Sequence, residues 1–179
     1  MNMNNLISGS IEAIDQAVEL IESLSDEHYR QSLSPLFQSS IGQHIRHTLD
    51  LYVAIMRETK DNHYDYDVRR RGATVETDPQ AAIDEFAFIK LWLNNLDESC
   101  FDQIVTVQTE VGLSEEKQFY GQSSFGRELC FVSSHLIHHM AIMAAIAKSQ
   151  GLTVDESIGV APATATYLRA QEEESKCAP

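Results

Sequence analysis

Apolar side chains recur every three or four residues in four long segments of the 179-residue chain, the spacing of one buried helix face. In the first, Leu6, Ile7, Ile11, Ile14, Val18, Ile21 and Leu24 predict a helix from about Asn5 to Ser23. Ser25-Asp26 reads as a break, and 29–36 as a connection that Pro35 ends or redirects. Ile41, Ile45, Leu49, Tyr52, Val53 and Met56 predict a second helix, from a Ser39 or Ser40 cap to about Thr59. Ile83, Phe86, Ile89, Leu93 and Leu96 predict a third, opened by Asp78 as cap and Pro79 in the first turn. Leu129, Val132, Leu136, Ile142, Met143 and Ile146 predict a fourth, from Ser123 or Ser124 to a C-cap at Gly151.

Two segments break the helical period. Residues 61–77 are polar and longer than a plain connection needs, which suggests that they cover something. Between 102 and 122 the β-branched Ile104, Val105 and Val107, a turn at Gly112 and a return over Lys117–Tyr120 predict two short strands. The pattern therefore predicts an all-α fold: a four-helix bundle with a long connection between its second and third helices and a small β-hairpin between its third and fourth. One domain is expected over 1–171, with 172–179 a solvated, flexible tail.

Composition narrows the function without choosing one. With 43% hydrophobic and 22% charged residues, the body of the chain is expected to fold. Thirteen Lys and Arg against 27 Asp and Glu give −14, which disfavours nucleic acid and anionic membrane surfaces as partners. No apolar run approaches the ~20 residues of a bilayer span, and the N-terminus lacks a signal-peptide pattern. Cys100, Cys130 and Cys177 are odd in number and far apart, so a disulfide framework is not expected and a reducing cytoplasm fits.

Histidine is where chemistry concentrates. Of seven, five fall in two segments: His44 and His47 on the second helix, and His135, His138 and His139 on the fourth. At about 100° per residue, His135 and His139 share one face one turn apart, a spacing that can chelate a metal. A third imidazole from a facing helix completes a triad; spacing alone permits His44 or His47. Three neutral imidazoles with open positions suit Zn(II), Ni(II) or Fe(II). His28 and His63 have no partner pattern, and surface roles are expected for both.

The segments Ser40-Ile-Gly-Gln-His-Ile-Arg-His47 and Ser134-His135-Leu-Ile-His138-His139 resemble the second- and fourth-helix motifs of the DinB/YfiT-like superfamily of metal-dependent four-helix bundles. The resemblance spans about 5–170, and Gly159-Val-Ala-Pro-Ala-Thr looks like a tail found in some members. It implies that the metal ligands are His47, His135 and His139. It leaves His44 and His138 as candidates for the surroundings or the pocket. It also implies a substrate class, because relatives include bacillithiol S-transferases and mycothiol-dependent maleylpyruvate isomerases. The expected function is thiol-dependent transferase or isomerase chemistry at a tri-histidine divalent-metal site. A non-catalytic DinB-like protein that binds metal or a small molecule is the alternative. Possible partners are a low-molecular-weight thiol, another small-molecule substrate and a second copy in a homodimer.

Two further features bear on the site. Glu128, seven residues before His135, lies within about 20° of the same helix face, two turns away. An ion pair with Arg127, Arg46 or one of Arg69–Arg71 is its simpler role, and an acid/base group at the cavity the alternative. The charged Asp65–Arg71 stretch is most simply solvated or locally paired; its arginines are also able to grip a substrate carboxylate.

Overall fold

The computed structural model describes residues 3–57 and 61–177. Among them are six helices: α1 (Met3–Glu22), α2 (Asp26–Arg30), α3 (Ile41–Met56), α4 (Pro79–Asn94), α5 (Phe125–Ser149) and α6 (Pro162–Cys177). Three strands, β1 (His63–Asp65), β2 (Ile104–Glu110) and β3 (Gln118–Ser124), form one small sheet. The expected end of the second predicted helix, near Thr59, lies outside the described residues.

The long helices α1, α3, α4 and α5 pack around one core: α3 against α5, α5 against α1, α1 against α4, and α4 against α3. Ile14 and Ile21 of α1 meet Ile45, Leu49 and Tyr52 of α3, Phe86, Ile89 and Leu93 of α4, and Leu129 and Leu136 of α5. All ten are essentially inaccessible to solvent. The predicted apolar stripes supply this core, since a helix stabilises a fold mainly by burying one face. A surface pair between Lys90 Nζ and Asp15 also links α4 to α1.

By length and composition, α5 is the one described helix apolar enough to cross a bilayer. The expectation that no apolar run reaches that length is corrected here. In this fold α5 is a core helix packed on α1 and α3, and its apolar residues serve that packing.

The predicted hairpin is present, with β2 and β3 antiparallel from Ile104↔Ser124 to Glu110↔Gln118. It is not alone. β1 adds to β2 in parallel, His63 opposite Thr106 and Asp65 opposite Gln108. This strand falls in the stretch read as a polar connection. Three residues are too few to show an alternating pattern, and only Tyr64 among them is buried. Two helices were also not expected as such. The five-residue α2 is capped by Ser25, whose side chain accepts from the His28 N–H. The exposed α6 starts at Pro162 and runs through 172–177 of the stretch 172–179 read as a tail, of which 178–179 lie outside the described residues.

A buried ionic knot ties the long connection down. The Asp50 side chain on α3 is almost fully buried. It accepts from Arg46 Nη1 (3.0 Å), Arg70 Nε (2.6 Å) and the Arg70 backbone N–H (3.2 Å). Arg46 also reaches Glu76 (2.9 Å), and Arg70 reaches Glu85 of α4 (2.7 Å). A buried carboxylate needs such saturation, because leaving it unpaired is costly. The knot holds 69–71 against α3, beside His47.

Candidate metal centre

The start of α3 is fixed locally. Ser40 Oγ accepts from the Gln43 N–H (3.2 Å), and Gln43 Oε1 accepts from the Ser40 N–H (3.0 Å), a reciprocal capping box. Gly42 lets the backbone near Glu76 come close: a Cβ there would stand 2.1 Å from the Glu76 carbonyl oxygen. Ser124 likewise caps α5 by accepting from the Arg127 N–H. These contacts set the axial position of two packed helices, and so of His44 and His47 about one and two turns along α3 and of His135 and His139 about three and four turns along α5.

His47, His135 and His139 converge. One ring nitrogen from each lies within 4.8 Å of the other two. Nε2 of His135 is 3.0 Å from Nε2 of His47 and 3.0 Å from Nε2 of His139. Nitrogens bound to one cation at about 2.0–2.1 Å stand about 3.0–3.4 Å apart, so the two His135 separations match ligands of one divalent metal. Among the described residues, no thiolate or carboxylate joins this cluster. Three nitrogen donors leave coordination positions for water or substrate, as catalytic sites do and closed structural sites do not.

The electrostatics agree with ligation. Burial, aided by Arg69 and His135, brings the His47 pKa down from 6.5 to about 4. Burial, aided by His47 and His135, brings His139 down to about 3. Burial also lowers His135. The rings are therefore neutral near pH 7, and only a neutral imidazole offers the lone pair that a metal takes.

The second ring nitrogens have partners. Nδ1 of His44 is 2.9 Å from Nδ1 of His139, on the side away from Nε2. Nδ1 of His47 accepts from Arg69 Nη1 at 2.9 Å, for a guanidinium only donates. The His44 contact suits a ligand, because His139 can donate its Nδ1–H to it. With Arg69 donating to Nδ1, neutral His47 carries its proton on Nε2; a metal at that Nε2 would move the proton to Nδ1 and release Arg69. His138 is exposed, its ring centroid 5.4 Å from that of His139 and 5.9 Å from that of His135. Of the two α3 histidines that spacing allowed, His47 enters the cluster and His44 stands behind it.

The model of the DinB family matches residues 2–174. This chain belongs to the DinB family. Two solved DinB-like proteins share its fold. One, from Bacillus cereus ATCC 10987, is 13% identical with a TM-score of 0.58, over 85% of this chain and 95% of that one. The other, from Bacillus subtilis, is 17% identical with a TM-score of 0.54, over 84% and 94%. A curated relative, FK506-binding protein 5 of Rhizopus delemar, is 34% identical over 106 residues. That match takes in 59% of this chain and only 28% of the fungal protein.

In this DinB protein, two clefts meet at His47. One, of about 550 Å³, is polar and includes Arg46, Arg69, Arg71 and Glu76 beside His44 and His139. The other, of about 320 Å³, runs from His47 and His135 past Leu51, Val107 and Phe131 to Tyr66 and Glu128. Glu128 is its one carboxylate. It is buried, and no arginine pairs with it among the described residues, contrary to the simpler sequence expectation. Tyr66 Oη donates to one oxygen (2.7 Å) and Ser123 Oγ to the other (2.6 Å). Burial, then the bond to Glu128, holds the Tyr66 phenol far above its ordinary pKa, so it stays a donor.

Sequence spacing brought the five clustered histidines into view. It did not show Ser123 beyond a helix start, nor the apolar wall of Leu51, Val107 and Phe131. Those residues come from three elements, and only the tertiary packing of the sheet on α3 and α5 joins them.

Proposed function

We propose that this DinB protein is a metal-dependent enzyme whose four-helix bundle holds one divalent cation on His47, His135 and His139. It acts on a low-molecular-weight thiol, in transfer or isomerisation. The observation that carries the reading is the convergence of three neutral imidazoles from α3 and α5 at the meeting of two clefts. A divalent cation with open positions lowers the pKa of a coordinated thiol or water and polarises a carbonyl.

The chain's own groups take the remaining parts. His44 holds His139 in orientation through its Nδ1 atom, and a metal on Nε2 of His47 would free Arg69 from its contact with Nδ1. Leu51, Val107 and Phe131 exclude water from one wall of the smaller cleft. Glu128 is set to take or give a proton at its carboxylate oxygens, which Tyr66 and Ser123 hold in place. Zn, Ni and Fe are the candidate metals, and a homodimer in a reducing cytoplasm is the proposed setting.

Metal analysis of tag-free protein tests the first half: about one equivalent of Zn, Ni or Fe per chain is expected. No bound metal and no thermal shift with any of the three would overturn it. A thiol panel with an electrophilic acceptor tests the second half. Metal-dependent consumption of thiol supports the enzyme, and metal bound without consumption supports a binder without turnover.

A further inference from the structure

Four of the chain's 13 Lys and Arg residues, Arg46, Arg69, Arg71 and Arg127, line the two clefts of a protein carrying −14. They are not equivalent. Arg46 is neutralised by Asp50 and Glu76, and its neighbour Arg70 by Asp50 and Glu85. Arg69 is half-buried between them, yet among the described residues it forms no salt bridge. Asp50 is held by two other arginines, and Asp67, whose Oδ1 accepts from the Glu110 backbone N–H (2.9 Å), attracts Arg69 only from a distance, without an ion pair. The polar partner of Arg69 is Nδ1 of His47, a neutral nitrogen that satisfies one N–H and offsets no charge.

Such a cation is costly unless an anion comes to it. Arg69 also belongs to both clefts, which places it beside the metal cluster and at the head of the apolar wall. Three uncharged ligands do nothing to offset a dication, so a loaded centre is more positive still.

We propose that Arg69 recognises the carboxylate of a small ligand whose apolar body lies in the smaller cleft, against Leu51, Val107 and Phe131. The planar guanidinium fork matches a carboxylate with two parallel hydrogen bonds. A cleft of about 320 Å³ has room for a body the size of one aromatic ring. This deepens the enzyme reading by giving its substrate an acid group, and rests on that reading for chemistry though not for binding.

Benzoate and its neutral isostere benzamide are the probes, titrated calorimetrically into zinc-loaded and metal-free protein. Wild type binds benzoate in both forms, and Arg69→Gln weakens it at least tenfold in both. Arg69→Lys, which keeps the charge without the fork, falls between. Benzamide distinguishes none of the three. Thermal melting and zinc stoichiometry run in parallel confirm that the variants are folded and loaded. Absence of benzoate binding to wild type, or equal binding by wild type and Arg69→Gln, overturns the proposal. Should wild type take up no zinc, the metal reading fails separately, and the metal-free titration still decides the role of Arg69.

Discussion

Nε2 of His47 on α3 faces Nε2 of His135 on α5 at 3.0 Å, although 87 residues separate them in the chain. The pair bridges two core helices, and His139 completes the cluster one turn along α5. Removing one member leaves two donors and an unfilled position. Changing a group that merely orients a ligand costs about 10–100-fold in metal affinity. His47→Ala, His135→Ala and His139→Ala should therefore each exceed that loss in competition with a fluorescent chelator. His44→Ala should fall within it, and His63→Ala, on β1 outside the cluster, should match wild type.

The lowered histidine pKa values give the metal-free protein a pH dependence of definite sign. Between pH 6.5 and about 4 the unfolded chain takes up protons that folded His47 and His139 refuse. Stability is therefore lost as pH falls through that window, and the loss ends once the folded rings protonate. Urea denaturation at pH 7.5, 6.5, 5.5 and 4.5 measures it. His139→Gln should flatten the dependence between pH 6.5 and 5.5, where few carboxylates titrate.

Asp50 is the acid on which two arginines converge. Replacing it with Ala strands Arg46 and Arg70 with one carboxylate each and frees the Arg70 backbone N–H. Breaking a buried pair in this way costs about 3–5 kcal/mol. Denaturant titration of Asp50→Ala should show a loss of that order.

Glu128→Gln keeps the size of the side chain and removes the base. If Glu128 moves a proton, turnover should fall about 10²–10⁴-fold with metal content unchanged. Tyr66→Phe removes one of the two hydroxyls that hold it and should have a smaller effect. Steady-state kinetics with the thiol identified in the panel, alongside metal analysis, separates this from loss of the centre.

Gly42 makes room for the Glu76 carbonyl and the Tyr29 ring. Gly42→Ala must push one of them aside, although alanine is the better helix former. Overpacking of this kind costs about 1–3 kcal/mol. Thermal denaturation should show the variant less stable despite its higher helix propensity.

The legible parts of this fold are those whose signal is local. Apolar spacing located the four long helices, and Ser40, Asp78 and Ser124 marked three of their starts because capping acts within a turn. Ile104, Val105 and Val107 announced β2. The strand β1 was invisible, since its pairing with β2 depends on a partner 43 residues away in sequence. The site divides in the same way. The i, i+4 spacing of His135 and His139 is a property of one helix. The choice of His47 over His44 depended on how α3 and α5 face one another, and came from the family resemblance. Glu128 illustrates the limit: its position on the helix face was readable, but its hydroxyl partners come from the 61–77 connection and the end of β3.

A metal held on the three imidazoles as proposed would also be a gauge of folding. No short peptide of this chain holds all three, because they meet only when α3 packs on α5. A cation bound there at 100 times its dissociation constant adds about 2.7 kcal/mol to stability. Its release during denaturation should follow the loss of helix packing, so a metal-sensitive dye would count unfolding molecules as they open.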